Sequence, residues 1–371
     1  MEAGKKIAVR ANATGAKRYE WGLQGDGRIS ATIGDVILYI TSAEGDGIGI
    51  VTVTAYNDQG ASSPNSLVIN VLSIESVEET RQPPQSVGQN VADMLSRLCW
   101  IAYSPTHFDP TTSPIQWPSE EDVREDLFVL RSAGFNGLVT YGSNYANRDT
   151  PGQMLDIPRL AQEAGFEGMI VGVWDPTDEN ELQAAEQAGL YPLVVGYSVG
   201  NEGLDVRYDL ETLVSAMDRL RRTTGKPAST TEQVGDYYGN SPLWTISDWI
   251  FPNAHPYFSE YRDPQEAVEW TERIFDALAL VSDKPLIFKE VGLPSGGDTD
   301  VNESRQAQYY QLLRETNVTY VVFEAFDAPW KHLTQPRPDG TYPLPDPEPH
   351  WGIFGSDRTP KEAAANICPA Q

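Results

Sequence analysis

Two glutamates, Glu202 and Glu290, are the residues whose type and placement point most directly to chemistry. Glu202 follows the apolar run Leu193–Val199, and Glu290 follows the run that begins at Pro285. Two carboxyl groups that face one another can cleave a glycosidic bond, because one donates a proton to the leaving oxygen while the other stays ionised. Their mutual charge and unequal burial would separate their pKa values. The pair therefore favours a glycosidase.

The composition narrows the choice of partner and of chemistry. The 371 residues carry a net charge of −26, from 27 Lys and Arg against 53 Asp and Glu. This charge repels nucleic acids and anionic membranes and disfavours polyanionic polysaccharides, whereas neutral sugars are indifferent to it. The four histidines show no His-Glu-x-x-His pattern and the two cysteines cannot form a metal site, which argues against a zinc hydrolase. Catalysis would therefore rest on carboxylates.

The two glutamates must be positioned by the elements that begin near Leu98. From there apolar, strand-like runs alternate with charged, helical segments over roughly 270 residues. This alternation predicts a (β/α)8 TIM barrel, and the absence of a Gly-x-Gly-x-x-Gly motif disfavours a doubly wound sheet. Glu202 and Glu290 close the fourth and seventh runs, so that the barrel would bring them together at its C-terminal face. The predicted strands are Leu98–Tyr103, Asn136–Tyr141, Gly168–Trp174, Pro192–Val199, Pro227–Thr231, Trp249–Ala254, Pro285–Val291 and Val318–Ala325. The predicted helices are Ser119–Ser132, Ile157–Ala164, Glu179–Ala188, Leu210–Arg222, Pro264–Val281 and Asn302–Thr316.

A different pattern precedes the barrel. Residues 6–72 contain short β-type runs separated by Gly-, Asn- and Asp-rich turns, and Gly49–Tyr56 shows the clearest period-2 alternation. These features predict a small β-sandwich of immunoglobulin or PKD type. We expect this accessory module at residues 1–75, a Pro- and Gln-containing linker at 76–95 and the barrel at 96–371. The module has few aromatic residues, so we interpret it as a spacer.

Several motifs resemble those of glycoside hydrolase family 17, a family of clan A barrels. Gly200-Asn-Glu202 resembles the acid/base motif and Glu290-Val-Gly-Leu-Pro-Ser295 resembles the nucleophile motif. The resemblance covers about residues 98–365. It implies that Glu202 is the general acid/base and Glu290 the nucleophile of a retaining mechanism on β-1,3-glucan of the laminarin type, with no metal or organic cofactor. The other matching motifs are Tyr103-Ser-Pro105, Val139-Thr-Tyr141, Asn253-Ala-His-Pro-Tyr-Phe258, Phe323-Glu-Ala-Phe-Asp327, Pro329-Trp-Lys331 and Glu348-Pro-His-Trp-Gly-Ile-Phe354.

The same resemblance implies roles for residues around the two glutamates. Asn201 would hydrogen-bond the 2-hydroxyl of the sugar. Tyr257 would donate to Glu290, although ordinary packing is the alternative. Trp330 and Trp351 would stack on sugar rings, for which Trp174, Tyr141 and Phe258 are further candidates. Three charged residues would cluster near the nucleophile or lie at the rim: Glu324, Lys331 and Glu348. The remaining candidates for substrate binding are Tyr103, Tyr141, Glu232 and His255.

Two local features leave questions open. Ala328 stands where the family usually has an acid, which puts a subsite contact or the charge balance around Lys331 in doubt. Cys99 lies on the first predicted strand and Cys368 follows the last helical segment. A closed barrel brings these elements together, so the two cysteines form either a disulfide or two separate buried thiols.

The leading hypothesis is a retaining β-1,3-glucan hydrolase, with two alternatives. A transglycosylase would use the same two glutamates, and a carbohydrate-binding protein would use the barrel without catalysis. We expect a neutral β-glucan as partner, no nucleic acid, no membrane insertion and a monomer. Met1 is followed by Glu-Ala-Gly-Lys-Lys rather than by an apolar signal region. We nevertheless expect a secreted, cell-surface or periplasmic enzyme, and the choice between endo and exo action stays open.

Overall fold

The computed structural model describes most of the chain from residue 95 onward and parts of the N-terminal region. The described residues are 6–11, 13, 16–25, 27–29, 36–40, 47–57, 60–62, 65–71, 93, 95–238, 241–337, 340–365 and 367–368. Most of the predicted linker, residues 76–92, lies outside them.

The N-terminal region forms two antiparallel sheets. Their strands are β1 (Lys6–Arg10), β2 (Arg18–Gly25), β3 (Arg28–Ile29), β4 (Val36–Ile40), β5 (Gly47–Asn57), β6 (Gly60–Ala61) and β7 (Asn65–Val71). One sheet has the order β1-β4-β3, and in the other β2, β6 and β7 all pair with β5. The long strand β5 contains the whole of Gly49–Tyr56, where the period-2 alternation indicated a strand.

One cluster of buried side chains draws on strands of both sheets. Trp21 comes from β2, Ile37 and Tyr39 from β4 and Val51 from β5, and all four are buried. Burying aromatic and β-branched side chains of alternating strands supplies most of the free energy that holds such small sheets together. Trp21 and Tyr39 are therefore core residues rather than surface aromatics.

The remainder of the chain contains an eight-stranded parallel sheet, as predicted. Its strands are β8 (Trp100–Tyr103), β9 (Gly137–Thr140), β10 (Gly168–Val173), β11 (Val194–Val199), β12 (Ala228–Ser229), β13 (Asn253–Ala254), β14 (Phe288–Val291) and β15 (Tyr320–Val322). They follow the order β12-β11-β10-β9-β8-β15-β14-β13, and an isolated parallel bridge joins Gln233, just after β12, to Asn253 in β13. The fold is thus α/β and TIM-like.

The observed strands are shorter than the predicted apolar runs. The sixth run was expected over Trp249–Ala254, yet only Asn253 and Ala254 form a strand, while Ile250 makes a single bridge to Leu286. The predicted strand was too long because Trp249, Ile250 and Phe251 are buried in the core. A buried residue can be apolar without belonging to a regular strand.

Helices follow most of the parallel strands and begin at side-chain caps. A cap side chain accepts a hydrogen bond from an otherwise unpaired backbone N–H of the first turn, which fixes where the helix starts. The capping residues are Ser119, Asp156, Asp178, Asp209 and Asn302. The helices are α1 (Glu120–Ser132), α2 (Ile157–Ala164), α3 (Glu179–Ala188), α4 (Leu210–Thr224), α5 (Leu243–Ile246), α6 (Pro264–Ala279) and α7 (Glu303–Leu313). None of the described helices is long and apolar enough to cross a membrane.

A disulfide joins Cys99 to Cys368, which resolves the alternative left open by the sequence. Cys99 directly precedes β8, and Cys368 follows the 3-10 turn Glu362–Ala364. The two Cα atoms lie 5.8 Å apart and the residues are 269 positions apart in sequence. The bond therefore ties the first parallel strand to the end of the chain.

Candidate active site

The loop that leaves β11 has a backbone that few residues can adopt. Gly200 has φ 76°, and a Cβ atom at this position would lie 2.1 Å from the hydroxyl oxygen of Tyr208. Glu202 has φ 50°, in the left-handed region that non-glycine residues seldom occupy. Its backbone N–H is fixed by a hydrogen bond to the carbonyl of Thr231 at 2.8 Å. Such strain at a non-glycine residue often marks a functional position.

Two neutral amides hold the carboxyl group of Glu202. Asn253 Nδ2 donates to Oε1 at 2.7 Å, and Gln233 Nε2 donates to Oε2 at 3.2 Å. Asn253 lies in β13 and Gln233 just after β12. The orientation of Glu202 is thus set by the two strands that follow its own in the chain.

Glu290 is the more deeply buried of the two glutamates. It lies in β14 beside Asn253 of β13, and its side chain is 7% exposed. His255 Nε2 lies 3.1 Å from Oε2, and Lys289 Nζ lies 3.4 Å from Oε1. Because an ionised carboxylate can only accept hydrogen bonds, Nε2 of His255 carries the hydrogen in this contact.

The surroundings of Glu290 keep its carboxyl group ionised. Burial by itself acts to raise the pKa, but the positive charge of Lys289 and the hydrogen bond from His255 act against it. Lys331 adds a further positive charge, and together these groups lower the pKa of Glu290 from 4.5 to about 2. An ionised carboxylate in an enclosed site is what a nucleophile requires.

The two glutamates face one another across the end of the sheet. One carboxylate oxygen of Glu202 and one of Glu290 lie within 4.8 Å of each other, and a ring nitrogen of His255 completes this group. Carboxyl groups about 5–5.5 Å apart are typical of retaining glycosidases, while inverting enzymes need about 6.5–9.5 Å to admit a water molecule. The close approach of the two oxygens is in keeping with the shorter, retaining separation.

The three charged residues expected near the nucleophile do lie there. Lys331 Nζ donates to both carboxylate oxygens of Glu324, at 2.8 and 2.9 Å. Burial raises the pKa of Glu324, and Lys331 partly offsets that effect. Burial likewise raises the pKa of Glu348. Ala328 is buried, and Glu324 supplies the counter-charge for Lys331, so the missing acid at position 328 does not leave that ammonium group unpaired.

A cavity of about 550 Å³ opens beside Glu290, a size typical of small-ligand sites. Phe108 forms the centre of an aromatic cluster in its wall, with ring centroids 5.3 Å from Trp117 and Tyr145 and 6.3 Å from Trp330. Of the residues singled out in the sequence, seven line the cavity: Glu290, Tyr141, Trp174, Asn201, Trp330, Lys331 and Glu348. The aromatic wall suits the apolar faces of sugar rings.

Two expected stacking or binding residues are buried away from this cavity. Trp351 is 0% exposed and packs against His255 and Phe323, with centroid distances of 5.1 and 5.3 Å. It therefore backs the histidine that contacts Glu290 and offers no face to a sugar. Tyr103 is also 0% exposed, and its hydroxyl donates to Asp126 at 2.9 Å.

Two further expectations are corrected by hydrogen bonds. The Tyr257 hydroxyl donates to Asp298 at 2.6 Å rather than to Glu290. His255 contacts Glu290 instead. Glu232 is buried and accepts from the backbone N–H groups of Gly203 and Leu204, at 3.3 and 3.2 Å. A buried carboxylate needs hydrogen-bond donors, and the donors of Glu232 are N–H groups of the loop that carries Glu202. Glu232 therefore holds that loop in place.

Sequence reasoning missed several residues of this site. Asn253, Gln233 and Lys289 contact the glutamates directly, and only Asn253 lay within a motif that the resemblance covered. Glu181 in α3 was also missed: it accepts from the N–H groups of Trp174 and Asp175, both at 2.8 Å, and lines the cavity. Their contacts arise from tertiary packing, which leaves no periodic signal in the sequence.

Comparisons with known proteins agree with this geometry. The BtgE/BtgC glycoside hydrolase domain is the family whose profile matches, over residues 101–352. A probable glucan endo-1,3-beta-glucosidase btgC of Aspergillus flavus is 25% identical over 278 residues, which is 65% of this chain and 39% of that protein. A glucan 1,3-beta-glucosidase of Saccharomyces cerevisiae is 27% identical over 277 residues, 64% of this chain and 83% of that protein. The chain thus spans about two fifths of the length of the Aspergillus relative.

A solved structure shares the fold. It is an active-site mutant of a Rhizomucor miehei beta-1,3-glucanosyltransferase in complex with laminaritriose, with a TM-score of 0.57 and 21% identity. The match covers 73% of this chain and 97% of that one. At this identity the likeness extends to the fold alone.

Proposed function

This chain belongs to the BtgE/BtgC glycoside hydrolase domain family, and from that membership we propose that it is a retaining glycosidase acting on β-1,3-glucan. The observation that carries the proposal is the pair of facing carboxyl groups, Glu202 and Glu290, with oxygens within 4.8 Å of each other. The buried and ionised Glu290 is the nucleophile, and the more exposed Glu202 is the general acid/base.

The reaction proceeds by double displacement. In the first step a carboxylate oxygen of Glu290 bonds to C1 of the sugar, the C1–O bond to the leaving group breaks, and Glu202 gives its proton to the leaving oxygen. In the second step water attacks C1, its proton passes to Glu202, and the electron pair of the ester bond returns to Glu290. The amides of Asn253 and Gln233 keep Glu202 oriented for both proton transfers.

A neutral glucan is the substrate that suits the cavity. Phe108, Trp117, Tyr145 and Trp330 present apolar surface, and the net charge of −26 does not oppose an uncharged sugar. The β-1,3 linkage is inferred from the relatives in Aspergillus and Saccharomyces, a probable glucan endo-1,3-beta-glucosidase and a glucan 1,3-beta-glucosidase. Asn201 lines the cavity, and we assign it a hydrogen bond to a sugar hydroxyl.

We further infer an accessory role for the N-terminal region and an exported site of action. The two antiparallel sheets with a shared buried cluster support a small sandwich of immunoglobulin or PKD type within residues 1–75. A linker over 76–95 and a catalytic domain over 96–371 complete this proposed division. The Cys99–Cys368 disulfide supports an oxidising compartment, as outside the cell or in a periplasm.

Product analysis on linear β-1,3-gluco-oligosaccharides tests the proposal. The wild-type chain should release shorter sugars, while Glu202→Ala and Glu290→Ala should be inactive, and the exposed Glu315→Ala is the matched control that should keep full activity. With an activated aryl glycoside, azide should restore turnover to Glu202→Ala with a β-glycosyl azide as product. Products longer than the substrate would assign transglycosylation by the same pair of glutamates. If the wild-type chain leaves every β-1,3-glucan intact, the assignment of β-1,3-glucan as the substrate is refuted.

A further inference from the structure

Lys289 is a buried lysine directly before the proposed nucleophile, in contact with it and with Asn201. Its side chain is 1% exposed. Its ammonium group donates to Asn201 Oδ1, lies 3.4 Å from Glu290 Oε1 and sits 4.3 Å from the centre of the Tyr141 ring. A buried ammonium group is costly unless it is paired, so the charged form of Lys289 depends on the negative charge of Glu290.

The charge of Glu290 changes twice in each catalytic cycle. It is a carboxylate in the free enzyme, a neutral ester in the glycosyl-enzyme and a carboxylate again after the second step. In the first step the ammonium group stabilises a charge that the transition state must lose, so it slows that step. In the second step it stabilises a charge that the transition state develops, so it speeds that step.

Resting on the function proposed above, we propose that Lys289 is a positioning residue that makes Glu290 a good leaving group in the second step. It thereby favours hydrolysis of the glycosyl-enzyme over its formation. Lys289 also fixes Asn201. Because an ammonium group can only donate, it holds the amide oxygen of Asn201, and the Nδ2 hydrogens are left for a sugar hydroxyl.

Other charged and titratable groups face Glu290 and are unchanged by a substitution at Lys289. They come from the segments that follow the other strands: His255, Tyr141, Glu202, Lys331, Glu324 and Glu348. Burial lowers the pKa of Lys289, and the negative charge of Glu290 works against this. Burial first, and then the charges of Glu290 and Glu324, raise the pKa of Tyr141 well above its usual range, so this phenol stays neutral.

The test compares Lys289→Met, which keeps length without charge, with Lys289→Arg, which keeps the charge. Lys226→Met is the matched control, since Lys226 is a partly buried lysine whose ammonium group, among the described residues, bonds only the backbone carbonyls of Tyr191 and Val194. On an aryl β-laminaribioside, Lys289→Met should show a pre-steady-state burst of phenol, with kcat and KM both about ten-fold lower. In the pH profile of kcat/KM for Lys289→Met, the acidic limb should move to higher pH by about one unit. Lys289→Arg and Lys226→Met should resemble the wild type.

A second readout does not depend on turnover. In protein labelled with ¹³C at the glutamate carboxyl carbons, the signal that disappears in Glu290→Gln reports the titration of Glu290. It should move to higher pH in Lys289→Met and stay in place in Lys226→Met. An active wild type whose Lys289→Met variant shows no burst, or an unmoved Glu290 titration, overturns the role of Lys289 alone. A wild type with no turnover of any β-1,3-glucoside overturns the proposed function, and the role of Lys289 with it.

Discussion

Replacing Glu290 by glutamine should destabilise the folded protein, which is unusual for a change at an active site. Glutamine keeps the volume of the side chain but removes its charge. Lys289 is buried beside Glu290 and Lys331 is close by, so the substitution leaves two ammonium groups with less counter-charge. An uncompensated buried charge is costly, because the protein interior solvates it poorly.

The size of the effect follows from the shift in the pKa of Glu290. A fall from 4.5 in the unfolded chain to about 2 in the folded protein corresponds to about 3 kcal/mol of stabilisation when the group is ionised. Because the folded-state value is the lower one, the stabilisation is fully present above pH 4.5. It is lost as the pH falls towards 2, where Glu290 takes up a proton in both states.

Urea unfolding of the wild type and Glu290→Gln at a series of pH values between 7 and 3 measures this. At pH 7 the variant should be less stable by about 3 kcal/mol, and the gap should narrow as the pH falls below 4.5. Glu202→Gln is the matched control, since neutral amides hold Glu202. If Glu290→Gln is as stable as the wild type at pH 7, or if the gap does not change with pH, the electrostatic account of the nucleophile is refuted.

Three further predictions concern the disulfide, Glu181 and Trp330. Removing the disulfide with Cys99→Ala and Cys368→Ala should lower the free energy of unfolding by about 5 kcal/mol, because the bond closes a loop of 269 residues; equal urea midpoints with and without the bond would contradict this. Burial raises the pKa of Glu181 from 4.5 to about 7, so its contribution favours folding below pH 4.5 and is lost as the pH rises through 7. Between pH 5 and pH 8 the melting temperature should therefore fall less for Glu181→Gln than for the wild type. Equal falls in the two proteins would count against the raised pKa of Glu181. Trp330→Ala should raise KM for laminari-oligosaccharides about ten-fold with little change in kcat, and an unchanged KM would remove Trp330 from the sugar-binding wall.

The parallel sheet could be predicted because its signals are local. Each apolar run, each capping residue and the positions of Glu202 and Glu290 at strand ends can be read along the chain. The helices Ile157–Ala164 and Glu179–Ala188 begin and end where the sequence places them, because Asp156 and Asp178 cap their first turns. The extent of the strands was less predictable, since residues such as Trp249 are apolar for reasons of burial alone.

The contacts inside the site could not be predicted in the same way. The motif that contains both His255 and Tyr257 did not reveal which side chain reaches Glu290, because that depends on how the 3-10 turn Tyr257–Ser259 directs the tyrosine towards Asp298. Trp351 matches a family motif but is enclosed by His255 and Phe323. A motif specifies the residue types, whereas packing decides which of them remain accessible.

Trapping the covalent intermediate tests the central claim most directly. A 2-deoxy-2-fluoro laminaribiosyl fluoride should label the protein once, because fluorine at C2 slows both steps while the fluoride leaving group at C1 speeds the first, so that the glycosyl-enzyme accumulates. Mass spectrometry of peptides should place the added disaccharide on Glu290 in the wild type and find none in Glu290→Gln. A label on another residue, or no label in an enzyme that cleaves β-1,3-glucan, would contradict double displacement through Glu290.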